Sequence, residues 1–221
     1  RRRVVRGYGI LQPTVGASMS GLQASRYARM YGSEPGIDPY TRMVSDVYQD
    51  LFGEGSFIGK GIYDVDVIVA VLHGRFPEDR VLSHDLLEGC YTRAGLVSDV
   101  RLYESYPSRY AADITRQARW IRGDWQLLPW MLPWVPRGLH GHEWSPLSWL
   151  SRGKLLDNLR RSLVPVAATA LLVIGWIILP EPLEWTLWLV CLLLLPVLVP
   201  AIRDVLVKPL DMTLEAHLLQ V

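Results

Sequence analysis

The chain has little cysteine, almost no net charge and no recognisable secretion signal. Its two cysteines lie apart, Cys90 in a charged region and Cys191 in an apolar run, which excludes a disulfide framework and fits a reducing compartment. The 23 basic and 22 acidic residues leave a net charge of +1, so the overall charge does not predict a nucleic-acid partner. The opening Arg-Arg-Arg-Val-Val-Arg lacks the apolar core of a signal peptide and follows no initiator methionine, so we expect the chain to begin inside a larger protein.

Charge is also absent from two long apolar runs near the C-terminus. Residues 163–180 and 185–202 each contain 18 positions without a charged side chain, the lower length expected of a bilayer-spanning helix. The turn between them carries Glu181 and Glu184, whereas basic residues flank the outer ends. By the positive-inside rule, this pattern predicts a hairpin that leaves the cytoplasm and returns to it. The flanking basic residues are Arg152, Lys154, Arg160, Arg161, Arg203 and Lys208.

Residues 1–160 alternate between strand and helix patterns. Residues 4–11 predict a strand that ends at Gln12-Pro13, because proline cannot donate to a central ladder. A helix at 86–94, closed by Gly95, is predicted to precede a strand at Leu96–Tyr103. The alternation predicts an α/β sandwich. Further helices are predicted at residues 22–31, 40–52, 65–72 and 111–128.

Tryptophan and proline are concentrated between the globular part and the apolar runs. Residues 129–162 contain four tryptophans, and residues 155–163 add leucines spaced along one helix face. Because an amphipathic ring is most stable at a membrane surface, we expect this segment to be interfacial. The tryptophans are Trp130, Trp134, Trp144 and Trp149; the leucines are Leu155, Leu156, Leu159 and Leu163.

Asp85, in the sequence Ser83-His84-Asp85, is the first candidate for catalysis. A carboxylate within hydrogen-bond reach of an acceptor hydroxyl acts as a general base. The alternative is that Ser83 or Asp85 caps the following helix, which is the commoner use of these residues before a helical pattern.

The segment Arg116–Gln126 is the second candidate. Arg116, Arg119 and Trp120 place guanidinium groups and an aromatic ring on neighbouring positions of one helix. Such groups hold a nucleotide diphosphate and stack on a sugar ring. The alternative is a helix that meets lipid headgroups.

Three weaker candidates remain. Lys60, in the Gly59-Lys60-Gly61 turn, suits a phosphate or a sugar hydroxyl, but a solvated turn lysine explains it as well. The sequence His140-Gly141-His142-Glu143 suggests a metal site without enough clustered ligands. Asp64 and Asp66 suit either a divalent ion or a helix cap.

Taken in order, these pieces resemble the inverting, membrane-embedded glycosyltransferases of the cellulose-synthase type. Four segments of this chain resemble motifs of that family. Gly9-Ile-Leu-Gln12-Pro13 resembles its strand end, and Phe57-Ile-Gly59-Lys60-Gly61 resembles its acceptor turn. His84-Asp85 resembles its base motif, and Arg116-x-x-Arg119-Trp120 resembles its last motif, with Arg116 where glutamine is usual. The chain more closely resembles the glycosyltransferase domain of cyclic β-1,2-glucan synthases, family 84 of the glycosyltransferases. That resemblance rests on residues 34–41, 44–50, 53–66, 83–89, 106–110, 119–126 and 158–163.

The resemblance implies transfer of glucose from UDP-glucose to the 2-hydroxyl of a growing β-1,2-glucan, with inversion. Asp85 would be the base, Arg119 would bind the diphosphate, and Trp120 would stack near the acceptor sugar. The acceptor turn would border the acceptor, and the remaining substrate-binding positions would be Gln12, Lys60, His84 and Arg116.

The resemblance also implies what is missing. Asp64 and Asp66 follow the acceptor turn, so they do not match the family's metal-binding Asp-x-Asp, and we expect them to cap a helix. A Mg or Mn ion is expected in the intact parent, with ligands upstream of Arg1, and the isolated chain is expected to be inactive. Its partners would be UDP-glucose, a glucan acceptor, the lipid bilayer and the upstream and downstream regions of the parent, with no nucleic acid.

These expectations divide the chain into four parts. Residues 1–128 would be the acceptor half of a GT-A-like domain, 129–162 the interfacial segment, 163–202 a transmembrane hairpin, and 203–221 a cytoplasmic tail leading to further regions. The implied location is a bacterial inner membrane, with the catalytic part in the cytoplasm. Two alternatives remain open: a synthase of another glucan linkage, and a non-catalytic fragment that anchors or assembles a synthase.

Overall fold

The computed structural model describes residues 3–32, 46–77, 80–82, 84–138 and 141–207. The chain divides into two compact units, Arg1–Arg161 and Ser162–Val221. The first unit contains strands and helices and the second contains helices, so the predicted α/β class is confirmed for the first unit. The finer boundaries of the four predicted parts stay predictions.

Strand β1 (Ile10–Ala17) is the central strand of a small mixed sheet. It pairs in antiparallel fashion with the short β2 (Ile62–Tyr63) and in parallel with β3 (Ala94–Glu104). The prediction of a strand over residues 4–11 that ends at proline was wrong, because β1 starts later and runs through Pro13. The register against β3 shifts between Pro13 and Thr14, and an irregularity in the ladder is where a strand tolerates the missing donor of proline.

Two short helices follow β1, where the sequence predicted one over residues 22–31. They are α1 (Met19–Gln23) and α2 (Arg26–Tyr31). The break lies at Ser25, whose side chain accepts the Ala28 N–H and so caps α2. Of the helix predicted over residues 40–52, the described part is α3 (Val47–Phe52), and residues 40–45 lie outside the described ranges.

The next two helices carry the segments nearest the candidate site. Helix α4 (Val65–Leu72) has the predicted bounds. Helix α5 (Asp85–Thr92) starts one residue early and ends before Gly95. The turn after α5 is made by Arg93, which adopts a positive φ of 61° while its guanidinium donates to the Gly53 carbonyl at 2.9 Å. The prediction that Gly95 closes the helix was therefore wrong, since this glycine lies in β3.

Helix α6 (Tyr110–Gln126) carries Arg116-x-x-Arg119-Trp120, the Arg-Trp motif, and matches the predicted helix within two residues at each end. A 3-10 turn (Leu128–Met131) and an antiparallel hairpin of β4 (Trp134–Arg137) and β5 (Gly141–Trp144) follow it. This hairpin was not predicted. One of its faces is buried at Val135, and the other exposes Trp134 and Trp144, whose rings meet edge to face.

The main core of the first unit lies between α5, the 3-10 turn, β4 and the start of α7 (Trp149–Ile178). Its largest fully buried side chains are Tyr91 and Trp130. Trp130 is therefore an exception to the prediction that residues 129–162 lie at a membrane interface, because it packs in the protein core. Leu155 and Leu159 are buried as one face of α7, whereas Leu156 and Leu163 are exposed.

The second unit contains the remainder of α7 and helix α8 (Pro182–Leu206). The indole N–H of Trp185 donates to the Leu171 carbonyl at 2.9 Å, and that of Trp176 donates to Thr186 Oγ1 at 2.8 Å, so the two helices pack as a hairpin. Among the described residues, α7 alone is long and apolar enough to cross a membrane, and α8 contributes the shorter apolar stretch Pro182–Pro196. Of the two predicted membrane spans, the first is thus supported by α7, and the second stays a prediction.

Candidate functional site

The structure places the carboxylate of Asp85 directly against Gly59. Asp85 occupies the first turn of α5, after His84, which makes no side-chain capping bond. A Cβ built on Gly59 would lie 2.8 Å from Asp85 Oδ2 and 3.0 Å from its Cγ. Because Gly59 also has a φ of +85°, only glycine allows this backbone conformation and this close approach together. The predicted base and the predicted acceptor turn are therefore neighbours, while Ser83 lies outside the described residues.

The backbone that leads into Gly59 is held by buried side chains. Gln12 is 1% exposed, and its amide donates to the Ser56 carbonyl at 2.8 Å and accepts the Ile58 N–H at 2.5 Å. Asp46 is fully buried and accepts the Ser56 N–H at 3.2 Å. Both the nitrogen and the oxygen of the side-chain amide of Gln12, a predicted substrate-binding residue, are thus hydrogen-bonded to the backbone that precedes the turn.

Lys60 and Gly61 complete this turn. Lys60 Nζ lies 2.7 Å from Glu104 Oε1 at the end of β3, and both side chains are partly exposed. Lys60 is thus a partly exposed lysine that forms an ion pair, and its contact with substrate stays a prediction. A Cβ at Gly61 would meet the Leu11 carbonyl oxygen at 2.6 Å, so this glycine allows the turn to approach β1.

His84 lies beside Asp85 but points its ring toward Glu88. His84 Nε2 is 3.1 Å from Glu88 Oε1, one helical turn later. The hydrogen bond to Glu88 raises the pKa of His84 above its ordinary value, while partial burial opposes the shift. The ring is therefore more easily protonated than an isolated histidine, and its positive charge lies near the Asp85 carboxylate.

In α6, Arg116 is enclosed by aromatic rings and a carboxylate. Its guanidinium lies 5.0 Å from the Tyr106 ring centroid and 4.8 Å from that of Trp120, and it forms a 2.6 Å ion pair with Asp113. Burial by itself would raise the pKa of Asp113, but the hydrogen bond from Tyr27 and the charge of Arg116 hold it below its usual value. Arg116 thus lies against the Trp120 ring with its charge paired to Asp113, and its role in substrate binding stays a prediction.

Trp120 has a second cation beside it. Arg161, from α7, lies 6.0 Å from the Trp120 ring centroid and forms a 2.7 Å ion pair with Asp124. Burial raises the pKa of Asp124 although Arg161 acts to lower it. Two guanidinium groups, each paired with a buried carboxylate, therefore lie near the Trp120 ring.

Arg119 differs from Arg116 on α6. Within the described ranges its side chain makes no hydrogen bond or ion pair and is exposed. Arg119 is therefore available to an anionic ligand, and the exposed Arg122, one helical turn later, is a second such guanidinium. At the end of the same helix, Gln126 Oε1 accepts the Leu82 N–H at 2.8 Å, which ties α6 to the segment before Asp85.

The residues suggested as metal ligands have other uses. Glu143 is 7% exposed and pairs with Arg75 and Arg137, which explains its burial without a metal; His140 lies outside the described residues. Asp64 caps α4 by accepting the Val67 N–H at 3.1 Å, as predicted. In the part of the chain that the structure describes, no three His, Cys, Asp or Glu side chains are grouped to hold a metal ion.

Sequence reasoning missed several supporting residues. Asp46 was interpreted as part of a helix and of the family resemblance. Lys154 and Arg161 were interpreted as charges flanking a membrane helix, and Arg161 also as part of the resemblance. Asp113 was not singled out at all. The only local signal was the position of Asp46 before a short helix, where an acidic residue is a favoured cap.

Comparison with known proteins adds one relative. Over 220 residues, 98% of the chain, the sequence is 46% identical to the cyclic beta-(1,2)-glucan synthase NdvB of Rhizobium meliloti (strain 1021). The chain spans only 8% of the length of that protein. No protein-family model matches the chain.

Proposed function

We propose that this chain is part of a membrane-bound glucosyltransferase that extends a β-1,2-glucan with glucose from UDP-glucose. The identity to a segment of the glucan synthase NdvB supports the transferase class. The observation that carries the proposal is the contact between the Asp85 carboxylate and Gly59, because it brings the candidate base against the turn that the family resemblance assigns to the acceptor.

Asp85 acts as the general base in this proposal. Its carboxylate takes the proton from the 2-hydroxyl of the acceptor sugar as that oxygen attacks C1 of the donor glucose. The new bond forms on the face opposite the leaving group, and the bond between C1 and the diphosphate oxygen breaks, so the configuration inverts. UDP leaves with the electron pair of the broken bond.

The other site residues have binding and positioning roles. Arg119 is the exposed cation for the diphosphate, whose charge grows as the bond to C1 breaks. Trp120 stacks near the acceptor sugar, with Arg116 holding its ring in place. Gly59 to Gly61 border the acceptor, Lys60 and His84 supply positive charge at its edge, and Gln12 supports the turn from behind.

A Mg or Mn ion is part of the proposal only through ligands outside this chain. The described residues do not fit a metal site, since Asp64 is a helix cap and Glu143 is paired with arginines. No step above passes through a metal. We accordingly propose that the isolated chain is inactive and requires other regions of its parent.

The membrane part of the proposal rests on α7 and α8. We propose that both cross a bacterial inner membrane as a hairpin, with Glu181 and Glu184 on the far side and the transferase part in the cytoplasm. Trp134 and Trp144 of the β4–β5 hairpin are 52% and 65% exposed, as expected for rings that lie at the membrane–water interface.

The test is product analysis with the full-length gene product in membrane vesicles. Radiolabelled UDP-glucose is expected to give a labelled glucan in which methylation analysis finds 2-linked glucose. A product with another linkage would refute the regiochemistry but keep the transferase class. The absence of any transfer, in vesicles where the protein is folded and inserted, would support an anchoring or assembly fragment instead.

A further inference from the structure

Lys154 is a buried cation that the proposed reaction does not use. It lies in the second turn of α7 and is 3% exposed, although lysine is among the residues least often buried without a partner. Its ammonium group donates to the carbonyls of Gly55, at 2.9 Å, and Glu54, at 3.2 Å, and lies 3.3 Å from Glu54 Oε1. The ring of Tyr48 covers it, with 5.2 Å from Nζ to the ring centroid.

These contacts bind the same backbone that leads to Gly59. Lys154 holds residues 54 and 55, Asp46 holds the N–H of Ser56, and Gln12 holds the carbonyl of Ser56 and the N–H of Ile58. Consecutive residues are thus fixed by side chains from α7, from the cap of α3 and from β1. Such a segment has little freedom left, so its end at Gly59 is fixed relative to Asp85.

The part of α7 that belongs to the first unit contacts α3, α5 and α6, which surround the candidate site. Ser151 accepts the Cys90 thiol hydrogen of α5 through its carbonyl, and Asp157 accepts the Tyr48 hydroxyl of α3 at 3.0 Å. Arg161 pairs with Asp124 of α6 and lies beside Trp120. With Lys154, these contacts recur every three or four residues, so they share one face of the helix.

We propose that the start of α7 is a positioning element of the transferase site, and that Lys154 is the positioning residue that holds the acceptor turn in place against Asp85. This inference rests on the proposed function for the identity of the bound acceptor. Lys154 itself does not touch the reacting atoms. It acts through Glu54 and Gly55 on the backbone that ends at Gly59.

The first test is physical and does not depend on activity. In Lys154→Met, which keeps the length of the side chain and removes its charge, the amides of Ser56 and Ile58 should exchange hydrogen faster by about tenfold or more, while those of α6 are unchanged. The control is Arg26→Met, which removes an exposed cation at the start of α2 and should leave both sets unchanged. Unchanged exchange at Ser56 and Ile58 in Lys154→Met would overturn the proposal.

The second test separates the acceptor from the donor in the full-length gene product. With a short β-1,2-linked glucooligosaccharide as acceptor, Lys154→Met should raise the acceptor KM on the order of tenfold and leave the KM for UDP-glucose within about twofold. Lys154→Arg keeps a cation and should recover most of the lost acceptor binding. An equal loss for both substrates, or no recovery with arginine, would show a structural role only.

Lys154→Gln, which keeps donors for the two carbonyls, replaces Lys154→Met if that variant does not fold. Failure of both variants to fold would also overturn the proposal, because the lysine would then serve stability alone. The proposed function fails separately: if the wild-type gene product makes no glucan, only the exchange experiment bears on Lys154.

Discussion

Replacing Gly59 with alanine tests the contact between the turn and the Asp85 carboxylate. The new Cβ would lie 2.8 Å from Oδ2, whereas ordinary contact begins near 3.4 Å, so the carboxylate must retreat by roughly half an ångström. Misplacement of a catalytic group by about 1 Å costs on the order of 100-fold, so we expect a loss of transfer between about 10-fold and 100-fold. The positive φ adds a stability cost of about 1–2 kcal/mol.

Gly74→Ala is the matched control for this prediction. Gly74 also has a positive φ, of +62°, but a Cβ there would meet nothing within 4 Å. Both variants should lose about the same stability in thermal unfolding, and only Gly59→Ala should lose glucosyl transfer measured with radiolabelled UDP-glucose. Equal activity in the two variants would refute the placement of Asp85 at the reacting atoms.

The remaining predictions concern stability, ionisation and the membrane. Arg75→Met leaves the buried Glu143 short of a partner and should cost about 3 kcal/mol in denaturant unfolding, whereas Arg137→Met at the exposed side should cost under about 1 kcal/mol; similar costs would contradict this account. Glu88→Gln should lower the pKa of His84 in an NMR titration, because it weakens the hydrogen bond that raises this pKa. The stability that His84 contributes is complete below its ordinary pKa of 6.5 and is lost as the pH rises through the raised pKa. The variant should therefore also lose this pH dependence of stability. Cys191 in α8 should resist a charged maleimide in intact cells while Glu181→Cys reacts, and rapid labelling of Cys191 would contradict a membrane-spanning α8. Cys90 should stay unlabelled even in opened membrane vesicles, because burial raises its pKa to about 11.

Local sequence predicted the elements that depend on local contacts. Helix α4 was predicted with its observed bounds, because Asp64 caps it and its apolar residues recur at helical spacing. The neighbourhood of Asp85 and Gly59 was predicted only through the resemblance to a family, since nothing local brings these residues together. The proline in β1 misled the strand prediction because its irregular pairing depends on the partner strand.

Long-range contacts between charged residues were beyond sequence reasoning. Arg75 and Glu143 are 68 positions apart, and Lys154 and Glu54 are 100 positions apart. Each of these residues looked like an ordinary surface charge or a ligand, because burial of a charge depends on a partner that the local sequence does not reveal. For the same reason the ion pair of Arg116 with Asp113 was not predicted, and substrate binding by Arg116 stays a prediction.

The most direct test of the central claim is Asp85→Asn in the full-length gene product. The change keeps the shape of the side chain and removes the base, so transfer from radiolabelled UDP-glucose should be abolished while the protein stays folded and inserted. Asp64→Asn is the matched control, because asparagine caps a helix as well as aspartate and transfer should be unchanged. Near-normal turnover in Asp85→Asn would contradict the assignment of Asp85 as the catalytic base.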